Sequence, residues 1–141
     1  MQFITTDDYS TLVRNEIKNI LLENYTDAKL SAAEQMAITQ VKNYLTGRYD
    51  TQKIFEASGA ERNAHIVMLV IDCTLYHLYT SVIPDKMPEI RSQRYQDALD
   101  WLKMVAAGDA VADLPKIIGN DGEDISGIKI TSKYQSNNQR W

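Results

Sequence analysis

The feature that most constrains this chain is the stretch AHIVMLVIDCTLYHLYTSV, Ala64 to Val82, which is apolar along almost its whole length. A segment this oily must be enclosed, either by lipid or by the rest of the protein. A membrane span needs about 20 predominantly apolar residues. Asp72 stands at the middle of the stretch, and an aspartate at a helix centre costs roughly 2.5–3.5 kcal/mol on insertion scales. His65, Thr74, His77, Thr80 and Ser81 add further polar groups. The stretch therefore reads as the central helix of a water-facing bundle, with no membrane partner.

The segments around it supply the cover. Tyr9, Leu12, Val13, Ile17, Ile20 and Leu21 recur at steps of three and four, the mark of one apolar helical face. Thr6 is the expected N-cap, with Asp7 and Asp8 at the positive end of the helix dipole, so helix one runs from about Asp7 to Glu23. SAAE at Ser31–Glu34 has the form of a capping box and predicts a second helix from Ala32 to about Thr46, with Ala37, Ile38, Val41, Tyr44 and Leu45 inward. TQKIFEASGAE reads as a connection with a turn at Ser58-Gly59. Pro88 suits the first position of a fourth helix, and Gly108 suits the residue that ends it. Only three prolines and six glycines in 141 residues agree with long helices.

After Gly108 the composition changes. Asn120-Asp121-Gly122 is a turn signal, and GIKITSKY alternates as a short strand does. The expected architecture is all-α: a small bundle of about four helices over residues 1–108, then an extended C-terminal arm, 109–141, that contains a short strand. A chain of this size buries roughly 68–70% of its unfolded surface, enough for a real core. The opening MQFITTDDYS has neither a basic nor an apolar leader region, so no signal peptide is expected.

The chemistry-bearing residues do not assemble into a catalytic pattern. His65 and His77 are twelve residues apart, about 18 Å along a helix, and cannot share one ion. Cys73 and His77 are spaced i, i+4, but two ligands do not make a metal site. No GxSxG, P-loop or GxGxxG occurs. The expectation is no catalytic residue, no metal and no cofactor. Cys73 reads as a small buried hydrophobe, and the two histidines as core-edge residues with one hydrogen bond each. A single cysteine excludes an internal disulfide and fits a reducing compartment. The net charge of −4 disfavours a sequence-reading DNA binder, which is usually basic. Asp72 poses the one electrostatic question. A buried charge needs a partner, and Arg91 and Arg94 are the nearest supply; the alternative is that Asp72 faces solvent.

MQFITTDDYSTLV, VKNYLTGRYD, ERNAHIVMLVIDCTLYHLY and MPEIRSQRYQDALDWLKMVAAGD, followed by DLP, come in this order. Together they resemble the head-tail connector, or adaptor, proteins of tailed bacteriophages, in the Mu-like gene 36 product family and in the form found in Bacteroidetes-type hosts. The resemblance runs from Met1 to about Pro115 and continues loosely into SKYQSNNQRW. It implies a structural virion protein and no catalysis. The implied partners are other copies of the chain in a ring, commonly a dodecamer, the portal protein, a tail or neck protein, and genomic DNA passing without sequence-specific binding. The implied place is the virion neck, after synthesis in the bacterial host cytoplasm. Carried over as structural positions are Tyr44, Leu45, Arg48 and Tyr49, then Asp72, Tyr76 and His77, then Arg91, Arg94, Tyr95 and Trp101. As structural or interface candidates we single out Asp72, Arg91, Arg94, Arg48, Tyr49, Tyr134 and Trp141; a terminal tryptophan rarely belongs to a monomer's core. The alternative function is a small helical scaffolding or regulatory module, and an enzyme with a site near Asp72, Cys73 and His77 stands behind it.

Overall fold

The structure, a computed structural model, describes residues 3–11, 27–82 and 84–117. These residues form five α-helices and no strand. Helix α1 is described over residues 6–11. It is followed by α2 (Asp27–Leu45), the short α3 (Thr51–Glu56), α4 (Ala64–Val82) and α5 (Glu89–Ala107), with single 3-10 turns at Gly59–Glu61 and Pro84–Lys86. The all-α expectation holds. Helices α2, α4 and α5 pack against one another, and the α2–α4 contact is the most extensive.

Helix α4 is the enclosed centre. Ile66, Val70, Leu75 and Leu78 are fully buried, and Val67, Leu69, Ile71 and Tyr79 nearly so. Side chains on every side of one helix are thus withdrawn from water, as expected where a helix is apolar all round. Each such side chain contributes about 1.5–3 kcal/mol. The helix starts where Asn63 Oδ1 accepts the Ile66 amide at 3.1 Å. Among the described residues, no helix is long and apolar enough to cross a membrane.

Four local expectations need correction. The second helix does not start at a Ser31–Glu34 box, because α2 already includes Asp27 to Ser31. Alanine, lysine and leucine at 28–30 favour helix, and Leu30 packs on the core. Glu34, far from capping, is buried and accepts the Tyr9 hydroxyl at 2.6 Å. A capping box does exist, but at Thr5–Asp8: the Thr5 amide donates to Asp8 Oδ2 at 2.7 Å, and the Asp8 amide to Thr5 Oγ1 at 3.3 Å. The cap is therefore Thr5 and not Thr6.

The third correction is α3, which occupies what reads as a connection. Asp50 caps it, its carboxylate accepting the Lys53 amide at 3.1 Å. Asp50 is held in turn by its own amide, which donates to the Pro115 carbonyl at 2.8 Å. A six-residue helix is marginal alone; this one depends on a residue far along the chain and on the burial of Ile54. The fourth concerns Pro88, which sits one residue before α5 in extended conformation, its carbonyl accepting the Arg91 amide at 3.0 Å.

Gly108 ends α5 with φ of 88°, left-handed backbone that favours glycine. Beyond it the chain is extended but fastened to the body. Ala112 and Leu114 are buried, and Lys116 forms an isolated antiparallel bridge with Tyr49. The expected strand in GIKITSKY lies outside the described residues, as does the helix-one stripe from Leu12 to Leu21.

Candidate functional site: a clasped helical seam

One cluster of polar groups lies where α4 meets α5. Asp72 is 5% exposed and is met by both candidate arginines. Arg91 Nη1 donates to Asp72 Oδ1 at 2.9 Å. Arg94 donates through Nε to Oδ1 at 2.9 Å and through Nη2 to Oδ2 at 3.1 Å. Arg91 and Arg94 are one helical turn apart on α5, so both reach the same carboxylate. The two-pronged Arg94 contact is the geometry in which guanidinium and carboxylate pair best. The solvent-facing alternative for Asp72 does not apply.

On the α2 side of the same seam, Tyr76 and Tyr95 stack at 3.8 Å with planes 4° apart. Gln40 links them to α2: its Nε2 donates to the Tyr95 hydroxyl at 2.9 Å, while its Oε1 lies 2.9 Å from His77 Nε2. With Gln40 oriented so, His77 is the donor and carries its proton on Nε2. Burial lowers the His77 pKa and favours this neutral form. His65 is exposed and meets the edge of Trp101, ring centroids 4.5 Å apart. Both histidines therefore have structural neighbours, and they stand on different turns of α4.

Cys73 is fully buried, and burial pushes its thiol up to about 12, with Asp72 adding to the rise. A thiol so held is not a nucleophile at neutral pH. Among the described residues, no three His, Cys, Asp or Glu side chains converge on a possible metal position.

Arg48 and Tyr49 close the other end of α5. Arg48 Nε donates to the Ala106 carbonyl at 3.0 Å, placing a cation at the negative end of the helix. Its guanidinium crosses so close to Gly108 that an added Cβ there would stand 2.8 Å from Nη2. Tyr49 is buried, and its hydroxyl accepts the Ala112 amide at 3.0 Å. Within the described residues both side chains serve contacts inside the chain. Tyr134 and Trp141 lie outside them.

Arg62, like Gln40, escaped sequence reasoning. Arg62 ties the N-terminal segment down: Nη1 donates to the Phe3 carbonyl at 2.7 Å and to Asp8 Oδ2 at 2.6 Å, Nη2 to Asp8 Oδ1 at 3.0 Å, and Nε to the Gly59 carbonyl at 2.9 Å. The hydrogen bonds from Arg62 hold the Asp8 carboxyl at about 2, well below its ordinary value. Arg62 stands alone between a turn and a helix, and its sequence neighbours give no sign of a partner 54 residues away.

The site is thus a set of braces between helices, with fixed charges and no activated group. The family model for Bacteriophage Mu, Gp36 matches residues 2–119. The chain belongs to that family. No curated protein and no solved structure matches it. Membership in the Bacteriophage Mu, Gp36 family makes the chain a structural, non-catalytic head-tail connector, or adaptor, that works with other structural components of the phage, portal and tail. It is a phage structural protein assembled in the virion. The matched region takes in every described helix, so the braces lie within the part of the chain that the family model covers.

Proposed function

We propose that this chain is the subunit of a homo-oligomeric ring, a dodecamer, seated in the neck between portal and tail of a phage of Bacteroidetes-type hosts. The ring lines the DNA passage, and the segment beyond the helical body reaches an adjacent subunit or the portal. The observation that carries this reading is the family relationship over residues 2–119.

Physical features support it. A closed ring needs two different faces on each subunit, joined head to tail. Helices α2 and α5 turn distinct faces outward, with Met36 exposed on α2 and Ile90 and Met104 on α5. The net charge of −4 suits a conduit through which DNA slides, because neutralising many phosphates would make binding tight and strongly salt-dependent.

Negative-stain microscopy of the purified chain, alone and mixed with the portal protein of the same phage, tests the proposal. Rings on the portal axis are expected. A monomer with no affinity for portal would refute it in favour of a scaffolding module.

A further inference from the structure

Five large hydrophobic side chains are exposed among the described residues: Met36, Met68, Ile90, Met104 and Val111. Three of them lie on one seam. Trp101 on α5 touches His65 on α4, and Arg94 touches Asp72. Met68 lies between His65 and Asp72 at helical spacing. Ile90, Arg94, Asp97, Trp101 and Met104 follow one another at steps of four and three, one flank of α5. The result is a line of apolar side chains along the α4–α5 seam, Ile90 62% exposed, Met104 48% and Met68 38%, with half-buried Trp101 among them. Beside it stand two carboxylates. Asp97 accepts from Gln93 Nε2 at 2.8 Å and Asp100 from Gln96 Nε2 at 2.9 Å, neutral donors that fix the acids without cancelling their charge.

The chain itself contains a segment with matching chemistry. Residues 128–141, IKITSKYQSNNQRW, carry Lys129, Lys133 and Arg140 and no acid, with Ile128, Ile130, Tyr134 and Trp141 as apolar groups. From Ile117, where the described structure ends, 24 residues remain. Fully extended they reach about 80 Å, whereas α5, at 19 residues, is only about 28 Å long. Such a reach is nearly three times the length of the helix, enough for the segment to pass beyond its own subunit.

We propose that the basic, aromatic C-terminal segment of one copy docks along the α4–α5 seam of a second copy, its apolar side chains on Met68, Trp101 and Met104 and its cations beside Asp97 and Asp100. This rests on the ring reading above and names the receiving surface. Aromatic and methionine side chains are the ones that interface cores favour.

Mixed single-cysteine variants test it. A full-length Ser136→Cys chain is mixed with a full-length Met104→Cys chain, so that a mixed disulfide between the two new thiols joins two copies by construction; buried Cys73 stays silent. Met36→Cys, on the exposed face of α2, is the control position. The seam disulfide should form in clear preference to the control. Adding Asp97→Lys and Asp100→Lys to the Met104→Cys chain should cut its yield at least about tenfold, since like charges then face each other. Equal yields at Met104 and Met36, or no effect of charge reversal, overturns the docking. Native mass spectrometry of the same mixtures separates the two ideas: a ring without seam preference refutes the docking and leaves the ring intact. Seam preference in open oligomers supports the docking and counts against a closed ring.

Discussion

Asp72 shows how one residue sets the character of a helix pair. Two arginines share its carboxylate in a place that water scarcely reaches, so removing the acid leaves two guanidinium groups facing each other. Breaking a buried ion pair from one side costs about 3–5 kcal/mol. Because the Arg94 side chain is 38% exposed, we expect Asp72→Asn to fall near the lower bound, about 3 kcal/mol, read by urea denaturation. A loss under about 0.5 kcal/mol, the range of ordinary surface substitutions, would show that the clasp contributes nothing. Asp8 gives a prediction with a sign in pH. Its carboxyl is held at about 2 in the fold against 3.8 ordinarily, so the unfolded chain binds the proton more readily. The Asp8–Arg62 contribution is therefore present above pH 4 and disappears as pH falls toward 2. The Asp8→Asn variant should be less stable than the parent by about 1 kcal/mol at pH 5 and equal to it near pH 2. Glu34 acts in the opposite sense: burial raises its pKa above 4.5, so protonation on acidification stabilises the fold. The pair of variants Asp8→Asn and Glu34→Gln separates the two.

At the scale of elements, α5 is held by different physics at its two ends. Its buried side chains are Arg91, Ala98, Leu102 and Val105. The half from Glu89 to Asp97 is braced by Arg91 and Arg94 on Asp72 and by Tyr95 on Tyr76 and Gln40, while the half from Ala98 to Ala107 has the apolar core and the Arg48 contact. Polar braces around few buried apolar groups mark a segment that opens below the global unfolding free energy. Hydrogen exchange should show amides 93–97 less protected than 98–105, and Asp72→Asn should raise exchange in the first group selectively. Uniform protection along α5 would show that the helix opens as a single unit. The same contrast explains which elements were legible in advance. Helix α4 announces itself through an unbroken apolar run, and Gly108 through the need for a left-handed residue. Helix α3 has no such signal, since six residues cannot nucleate alone and its cap is positioned by the Pro115 carbonyl. The Ser31–Glu34 pattern misleads for a related reason: two residue types at the right spacing fit a cap, but Glu34 is claimed by Tyr9 from another helix.

At the scale of the whole molecule, the extended segment after α5 completes the fold it leaves. Ala112 and Leu114 are buried, Tyr49 accepts the Ala112 amide, and Pro115 supports the cap of α3. A chain ending at Gly108 should lose these contacts and unfold at a temperature roughly 5–10 °C lower than a chain ending at Ile117, taking about 2 kcal/mol for the lost burial. Equal melting temperatures would place the end of the folding unit at α5 itself. The amino-acid order alone determined the helical class, the enclosed position of Ala64–Val82 and the residues able to neutralise Asp72, because hydrophobic periodicity and the cost of a lone buried charge act along a single helix. Only the tertiary structure decided that both arginines share one carboxylate, that Arg62 ties down the N-terminal segment, and that Tyr49 anchors the chain beyond α5. Those contacts join residues 19 to 63 positions apart, and their free energy exists only once the packed core has brought them together.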